Sequence, residues 1–401
     1  MTKDEAVKGD PSDHRLPLVI VGTGLAGYTV AREVRRQDKE RPILMITQDG
    51  GESYSKPMLS NALAQRKGPA SLANFDAKEM AAQLELTILS QCVVGRIHTS
   101  SKELEVQGKR ISYSQLVLAV GADPKRPKID GPAGGELLCI NDLDDYARYR
   151  QKLESCRSVV ILGAGLIGVE FANDLVAAKF EVSLVDPAPV PLSRLLHPDA
   201  GSEFANALSA EGINLQLGRS VRHVDYSKLG YSLTLDDGVT LYADLIVSAI
   251  GLAPRASLAK AAGLDTREGI VTDAYCRTSA PDIFAVGDCA EIHGKVQPYV
   301  LPLMHSARAL AATLCGRPTP VEYPVMPVVV KTPAIPTIIA GTADASGRWS
   351  IEAIDTPNGK GLKALCTDLT NGQLKHFSLL GGAISEKTAL LGTMSAQHVR
   401  T

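Results

Sequence analysis

Aromatic side chains are scarce in this 401-residue chain: Phe, Trp and Tyr make up 4%, with a single tryptophan. Its cores therefore have to be built from Ala, Val, Leu and Ile. The hydrophobic fraction of 45% is still that of a globular protein, and the length suggests two or three domains. No run approaches the ~18 consecutive apolar residues of a membrane span. The polar opening, with Lys3, Asp4, Glu5, Lys8, Asp10, Asp13 and His14, lacks the apolar stretch of a secretory signal. Residues 1–15 read as a mobile tail, and the protein as cytoplasmic. A long basic run is also missing, and the formal net charge is −2. Phosphate neutralisation needs clustered Lys and Arg, so nucleic acid is excluded as a partner. The seven cysteines (92, 139, 156, 276, 289, 315 and 366) include no C-x-x-C pair, and the histidines have no metal-ligand spacing. No structural metal is expected.

What the sequence does contain is a near-repeat. Leu18–Val21 is a short apolar run followed by Gly22, Gly24 and Gly27 at G-x-G-x-x-G spacing, a helical pattern over Tyr28–Arg36 and a second apolar run, Ile43–Ile46. The order recurs in Val159–Leu162, then Gly163, Gly165 and Gly168, a helical stretch Val169–Lys179, and Val182–Val185. Each copy is a strand–turn–helix–strand unit. Its first glycine permits the tight turn, the second lets a pyrophosphate approach backbone, and the third lets helix and strand pack closely. The helix N-terminus offers N–H groups and a positive dipole end to the phosphates. Two copies a domain's length apart predict two dinucleotide sites in an α/β fold.

The copies differ at the end of their second strand. The later one ends in Asp186, 18 residues after Gly168, where a carboxylate can accept both ribose hydroxyls and repel a 2′-phosphate. Pro187, Ala188 and Pro189 follow with no Arg, which favours NADH over NADPH. The earlier one has Thr47 at that place, followed by Gln48 and Asp49. A third motif, Thr278 to Ala290, reads as a buried strand ending at a Gly287–Asp288 corner, which can aim a carboxylate at the ribityl hydroxyls of FAD.

Gly22–Gly27, Tyr54–Ser60, Leu116–Ala122, Gly163–Glu170, Ser248–Arg255 and the Gly287-Asp288 segment stand in the order of a known family. The chain resembles the flavoproteins with two dinucleotide domains that include ferredoxin and rubredoxin reductases. Within them it is most similar to the rubredoxin reductases, on Tyr54-Ser55-Lys56-Pro57, Gly168–Asp174 and Val330–Pro333. The resemblance covers about residues 16 to 315. It departs at Lys56-Pro57, where ferredoxin reductases of dioxygenase systems carry Arg-Pro, and at Ala119-Val120-Gly121, where the family usually reads Ala-Thr-Gly.

The resemblance implies a discontinuous FAD domain (16–123 and 254–323), an inserted NAD domain (124–253) and a small α+β C-terminal domain (324–401). It implies FAD contacts from Gly22, Gly24, Leu25, Ala26, Gly27, Thr47, Gln48, Lys56, Pro57, Val94, Gly121, Asp288, Val300 and Lys331. NAD would be held by Gly163, Gly165, Leu166, Ile167, Gly168, Glu170, Asp186 and Gly251. Lys56 and Glu170 are the expected catalytic pair, Lys56 beside the flavin and Glu170 on the first turn of its helix, facing it across the nicotinamide gap. A unit charge about 4 Å from developing flavin charge is worth up to ~4 kcal/mol at an effective dielectric near 20. The helix near Pro302 is expected to aim its N-terminus, from Val300, at the pyrimidine end. With no dithiol in the region where disulfide-reducing flavoenzymes keep one, reduced flavin must discharge directly. The implied acceptor is rubredoxin or a similar small iron–sulfur protein. Supply to alkane oxidation or to nitric oxide detoxification, a ferredoxin reductase of an oxygenase, and a non-catalytic FAD redox sensor stay open as alternatives.

Overall fold

The computed structural model describes residues 16–228, 230–342 and 347–398; residues 1–15, read as a mobile tail, lie outside them. The chain divides into two compact units. One comprises Met1–Tyr54, Asn74–Ala122 and Pro254–Glu322, the other Ser55–Ala73, Asp123–Ala253 and Tyr323–Thr401. Two features of this division differ from the sequence reading. Ser55–Ala73 leaves the FAD-type unit, and the C-terminal segment groups with the NAD-type segment.

The first unit is built on a five-stranded parallel sheet in the order Ile283–Ala285, Gln115–Leu118, Leu18–Val21, Ile43–Ile46, Thr87–Leu89. Its central strand, Leu-Val-Ile-Val, is buried throughout. That is how a parallel strand covered on both faces must read, with no polar alternation. The helix Leu25–Gln37 buries Ala26, Tyr28, Val30, Ala31 and Val34, and ends with Arg35 and Arg36 at the negative end of its dipole. A three-stranded antiparallel sheet of Val94–His98, Glu103–Val106 and Lys109–Ser112 completes the insertion after the second strand.

In the second unit, the strand order Asn214–Leu217, Glu181–Asp186, Ser158–Leu162, Leu245–Ser248 repeats the parallel arrangement with four members. A meander of Val221–Ser227, Gly230–Leu235 and Thr240–Ala243 packs through Val224, Leu233 and Leu235 onto Val160, Leu162 and Ile246 of that sheet. The C-terminal segment forms a five-stranded antiparallel sheet ordered Val328–Val330, Thr337–Gly341, Leu374–Gly381, Gly359–Thr367, Arg348–Thr356, followed by the helix Lys387–His398. Its core is Ile338, Ala340, Phe377, Leu379, Ala383 and Met394. The strand alternation read at Thr337–Ala340 and Trp349–Ile354 falls inside two of these strands. The single tryptophan, Trp349, meets His197 with the rings tilted at 45° and centroids 4.7 Å apart, and His376 edge-on at 5.4 Å.

Candidate active site

The two glycine turns have nearly the same geometry. Gly22 and Gly163 sit at φ +109° and +103°, where a side chain is strained. A Cβ on Gly22 would stand 2.2 Å from the Ala119 carbonyl oxygen, and one on Gly163 would stand 2.6 Å from that of Ala249. The third glycines are closed by close approach. A Cβ on Gly27 or Gly168 would lie 2.0 or 1.8 Å from the carbonyl oxygen of Gly22 or Gly163. The middle glycines, Gly24 and Gly165, face open space, with nothing within 4 Å of a built Cβ. Each is the N-cap of its helix, makes no side-chain capping bond, and is followed by a first turn without acidic residues. Leu25, Ala26, Leu166 and Ile167 open these helices, and Ile167 is 46% exposed. Uncapped N–H groups facing open space at the positive end of a helix fit a pyrophosphate.

Both turns are tied to the end of the neighbouring strand by a carboxylate. Asp186 accepts from the N–H groups of Ala164 (2.6 Å) and Ala188 (2.7 Å). In the first unit the residue doing this is Asp49, two positions beyond Thr47. One of its oxygens accepts from Thr47 Oγ1 (2.6 Å), Thr23 Oγ1 (3.2 Å) and the Gly51 N–H (3.0 Å). Thr47 is buried and turned toward Asp49, while Gln48 is exposed. The sequence reading missed Asp49, although it stands beside the residues chosen; the signal was the carboxylate itself, offset by two. Arg219, whose N–H bonds the Asp186 carbonyl, has its guanidinium on Asp237 (2.8 Å) and Gln216.

The Gly287–Asp288 corner lies against the first turn: a Cβ on Gly287 would be 2.8 Å from the Ala26 Cβ. The helix Val300–Leu314 packs along Leu25–Gln37, with Thr29 Oγ1 donating to Met304 Sδ at 3.5 Å. Its first residues, Val300 and Leu301, are 40% and 42% exposed, and it too lacks a side-chain cap. Gly121, at φ +71°, is held by the Arg255 N–H, and the Arg255 guanidinium donates to the Val120 carbonyl at 3.0 Å. Val94 is buried at the head of its strand.

Three members of the expected FAD set, Lys56, Pro57 and Lys331, belong to the second unit. There Lys56 opens a short 3-10 helix, Lys56–Asn61, with Pro57 in its first turn. Glu170 stands fifth in the helix Leu166–Ala177, in the second turn rather than the first, and is 3% exposed. Its carboxylate accepts from Ser60 Oγ (2.5 Å) and the Lys331 N–H (3.1 Å), and pairs with Lys331 Nζ at 3.0 Å. Lys331 is therefore a cation on Glu170, a contact that the sequence reading had not assigned to it. The Lys331 ammonium also reaches the Pro57 carbonyl. Asp174, one turn on, accepts from the N–H groups of Leu63 and Ala64, both at 2.9 Å. Burial pushes this carboxyl up to about 6, against the pull of the two N–H groups, Arg150 and Lys331. Ser60 and Asp174 were not selected from sequence, because nothing local marks a serine or aspartate whose partner is 110 positions away.

Residues 16–311 match the family model for pyridine nucleotide-disulphide oxidoreductases. The chain belongs to that family. FAD and NADH are the cofactors of this oxidoreductase, and the geometry of the two turns fits the pyrophosphate of a dinucleotide. A second model, the rubredoxin binding C-terminal domain, matches residues 320–394. Among curated relatives, a rubredoxin-NAD(+) reductase of Alcanivorax borkumensis is 45% identical, over 93% of this chain and 97% of that protein. One from Acinetobacter baylyi is 43% identical over 94% and 96%. A nitric oxide reductase FlRd-NAD(+) reductase of Aeromonas salmonicida is 39% identical over 81% and 83%. Among solved structures, the putidaredoxin reductase–putidaredoxin complex aligns with a TM-score of 0.85 at 26% identity, covering 95% of this chain and 94% of that one. Among the described residues the seven cysteines of this oxidoreductase form no disulfide, and burial pushes the Cys289 thiol up to about 11. Among the described residues no helix is long and apolar enough to cross a membrane.

Proposed function

We propose that the protein is an NADH-dependent rubredoxin reductase, in which electrons enter from NADH at the second turn, pass through FAD at the first, and leave singly to rubredoxin. The observation that carries this reading is the pair of equivalent glycine turns in a chain whose C-terminal segment matches a rubredoxin binding domain. Bound FAD supplies the conversion between a two-electron donor and a one-electron acceptor. The protein's part is to bind, orient and exclude water. Gly24 and Gly165 leave room for the two pyrophosphates, Asp186 fixes the NADH ribose and discriminates against a 2′-phosphate, and Asp288 holds the ribityl chain. Lys56 places positive charge near the flavin. Glu170 holds Lys331 and Ser60 in fixed positions.

The relatives named for rubredoxin are more similar than the one named for a nitric oxide reductase, which favours free rubredoxin as acceptor; the use we propose for it, alkane oxidation, rests on the family resemblance alone. Because NADH is a cytoplasmic coenzyme, the reading also places the protein in the cytoplasm. The test is steady-state NADH oxidation with rubredoxin or a [2Fe–2S] ferredoxin at matched concentrations. Preference for rubredoxin by roughly tenfold or more in kcat/KM is expected, about 1.4 kcal/mol of discrimination. Equal or faster turnover with the ferredoxin would overturn the assignment.

A further inference from the structure

Glu170, Asn173 and Asp174 occupy one face of the helix Leu166–Ala177, at i, i+3 and i+4, and all three are buried. Each is committed to a loop outside the helix. Asp174 takes the N–H groups of Leu63 and Ala64, one on each oxygen. The Asn173 side-chain oxygen accepts from the Ala334 N–H at 3.3 Å, and Glu170 takes the N–H and ammonium of Lys331 and the Ser60 hydroxyl. Asn61 joins the same cluster once its amide is assigned with the oxygen toward the ammonium, the nitrogen then donating to the Lys331 carbonyl at 3.0 Å and the oxygen accepting from the Lys331 ammonium at 3.3 Å. The face therefore grips residues 60–64 and 331–334 together, while the same helix begins at Gly165, the middle glycine of the second turn.

A buried carboxylate is an expensive way to hold a turn. An apolar residue at 174 would avoid the desolvation but would orphan two backbone donors. The two bonds to consecutive N–H groups fix both the position and the direction of the chain three residues beyond Ser60. We propose that Asp174 is a positioning residue for electron entry: it sets the turn at Leu63–Ala64 so that Ser60 and Lys331 close on Glu170. This rests on the reductase reading, in which Glu170 belongs to the NADH-to-FAD machinery.

Asp174→Asn is the informative variant, because it keeps the shape and one acceptor but sets an amide NH2 against the other N–H. Amide hydrogen exchange at Leu63 and Ala64 should speed up by roughly tenfold in the variant, with the turn Gly163–Gly168 unchanged. The rate at which NADH reduces the bound flavin, per flavin at saturating NADH, should fall by roughly tenfold with little change in KM. In the wild type that rate should drop as pH falls through about 6, where Asp174 gains a proton and loses an acceptor site. The variant should lack this step.

The charged and titratable groups facing Asp174 are Arg150, Tyr146 and Tyr149 from the helix Leu143–Leu153, Lys331 from its loop, and Glu170 on its own helix. Of these only Glu170 is another carboxylate, so Glu170→Gln, slower overall, must keep the step. Unchanged exchange at Leu63 and Ala64, or an unchanged rate and pH step in Asp174→Asn, would overturn the proposal. So would loss of the step in Glu170→Gln. If NADH fails to reduce the wild-type flavin at any pH, the reductase reading falls first and this proposal with it.

Discussion

Asp49 and Asp186 perform the same service with different atoms. In the second unit a carboxylate at the strand end reaches the Ala164 N–H directly; in the first it stands two residues later and reaches through the hydroxyls of Thr23 and Thr47. Asp186→Ser should raise KM for NADH by roughly tenfold, about 1.4 kcal/mol, and narrow the preference over NADPH, as parallel titrations with the two coenzymes would reveal. Lys56→Met should leave FAD bound while slowing NADH-dependent acceptor reduction by roughly tenfold, since it removes a charge of at most ~4 kcal/mol that is screened in place. Unchanged stopped-flow flavin reduction and turnover would remove Lys56 from the mechanism. Glu170→Ala removes the carboxylate from the Lys331 ammonium and the Ser60 hydroxyl and leaves them the Pro57 carbonyl, and should cost about 2–3 kcal/mol in chemical denaturation as well as activity. At this scale sequence motifs singled out Glu170 but not the residues it holds. Its partners come from loops more than a hundred positions distant, beyond the reach of any local pattern.

The glycine turns permit a sharper contrast at the level of elements. A side chain at Gly168 would collide with the Gly163 carbonyl, whereas one at Gly165 meets nothing. Gly168→Ala should therefore unfold or grossly destabilise the second unit, while Gly165→Ala should fold with normal thermal stability and lose NADH affinity by roughly tenfold or more. Calorimetry beside NADH titration separates the two, and equal stability losses would mean that the open space at Gly165 is not a phosphate site. Both strand–turn–helix–strand units were legible in sequence because their hydrophobic periodicity and glycine spacing are local properties. The assignment of Ser55–Ala73 was not. That segment is claimed by the second unit through Asp174 and through Arg150, whose guanidinium donates to the Lys67 carbonyl at 2.6 Å, and neither bond leaves a periodic trace.

Over the whole molecule, two buried groups in the second unit respond to acid in opposite senses. Asp174, raised by burial from an ordinary 3.8 to about 6, favours the folded state below 3.8 and loses that contribution as pH rises through 6. His376, 1% exposed, is lowered by burial from 6.5 to about 4, so its contribution is present above 6.5 and is lost as pH falls through 4. Each is worth about 3 kcal/mol by linkage, and between pH 4 and 6 they largely offset one another. Asp174→Asn should remove one side of that balance and make the unit lose stability steadily on acidification. Urea denaturation across this range checks it, and parallel wild-type and variant profiles would contradict it.

The most direct test of electron flow from NADH to an iron–sulfur acceptor is a two-stage anaerobic experiment. The yellow protein is titrated with NADH until its visible band bleaches, then mixed rapidly with oxidised rubredoxin. The account predicts bleaching at one NADH per flavin, followed by rapid return of the flavin band as two rubredoxins are reduced. A band that NADH leaves unchanged, or a bleached protein that rubredoxin does not reoxidise, would contradict it.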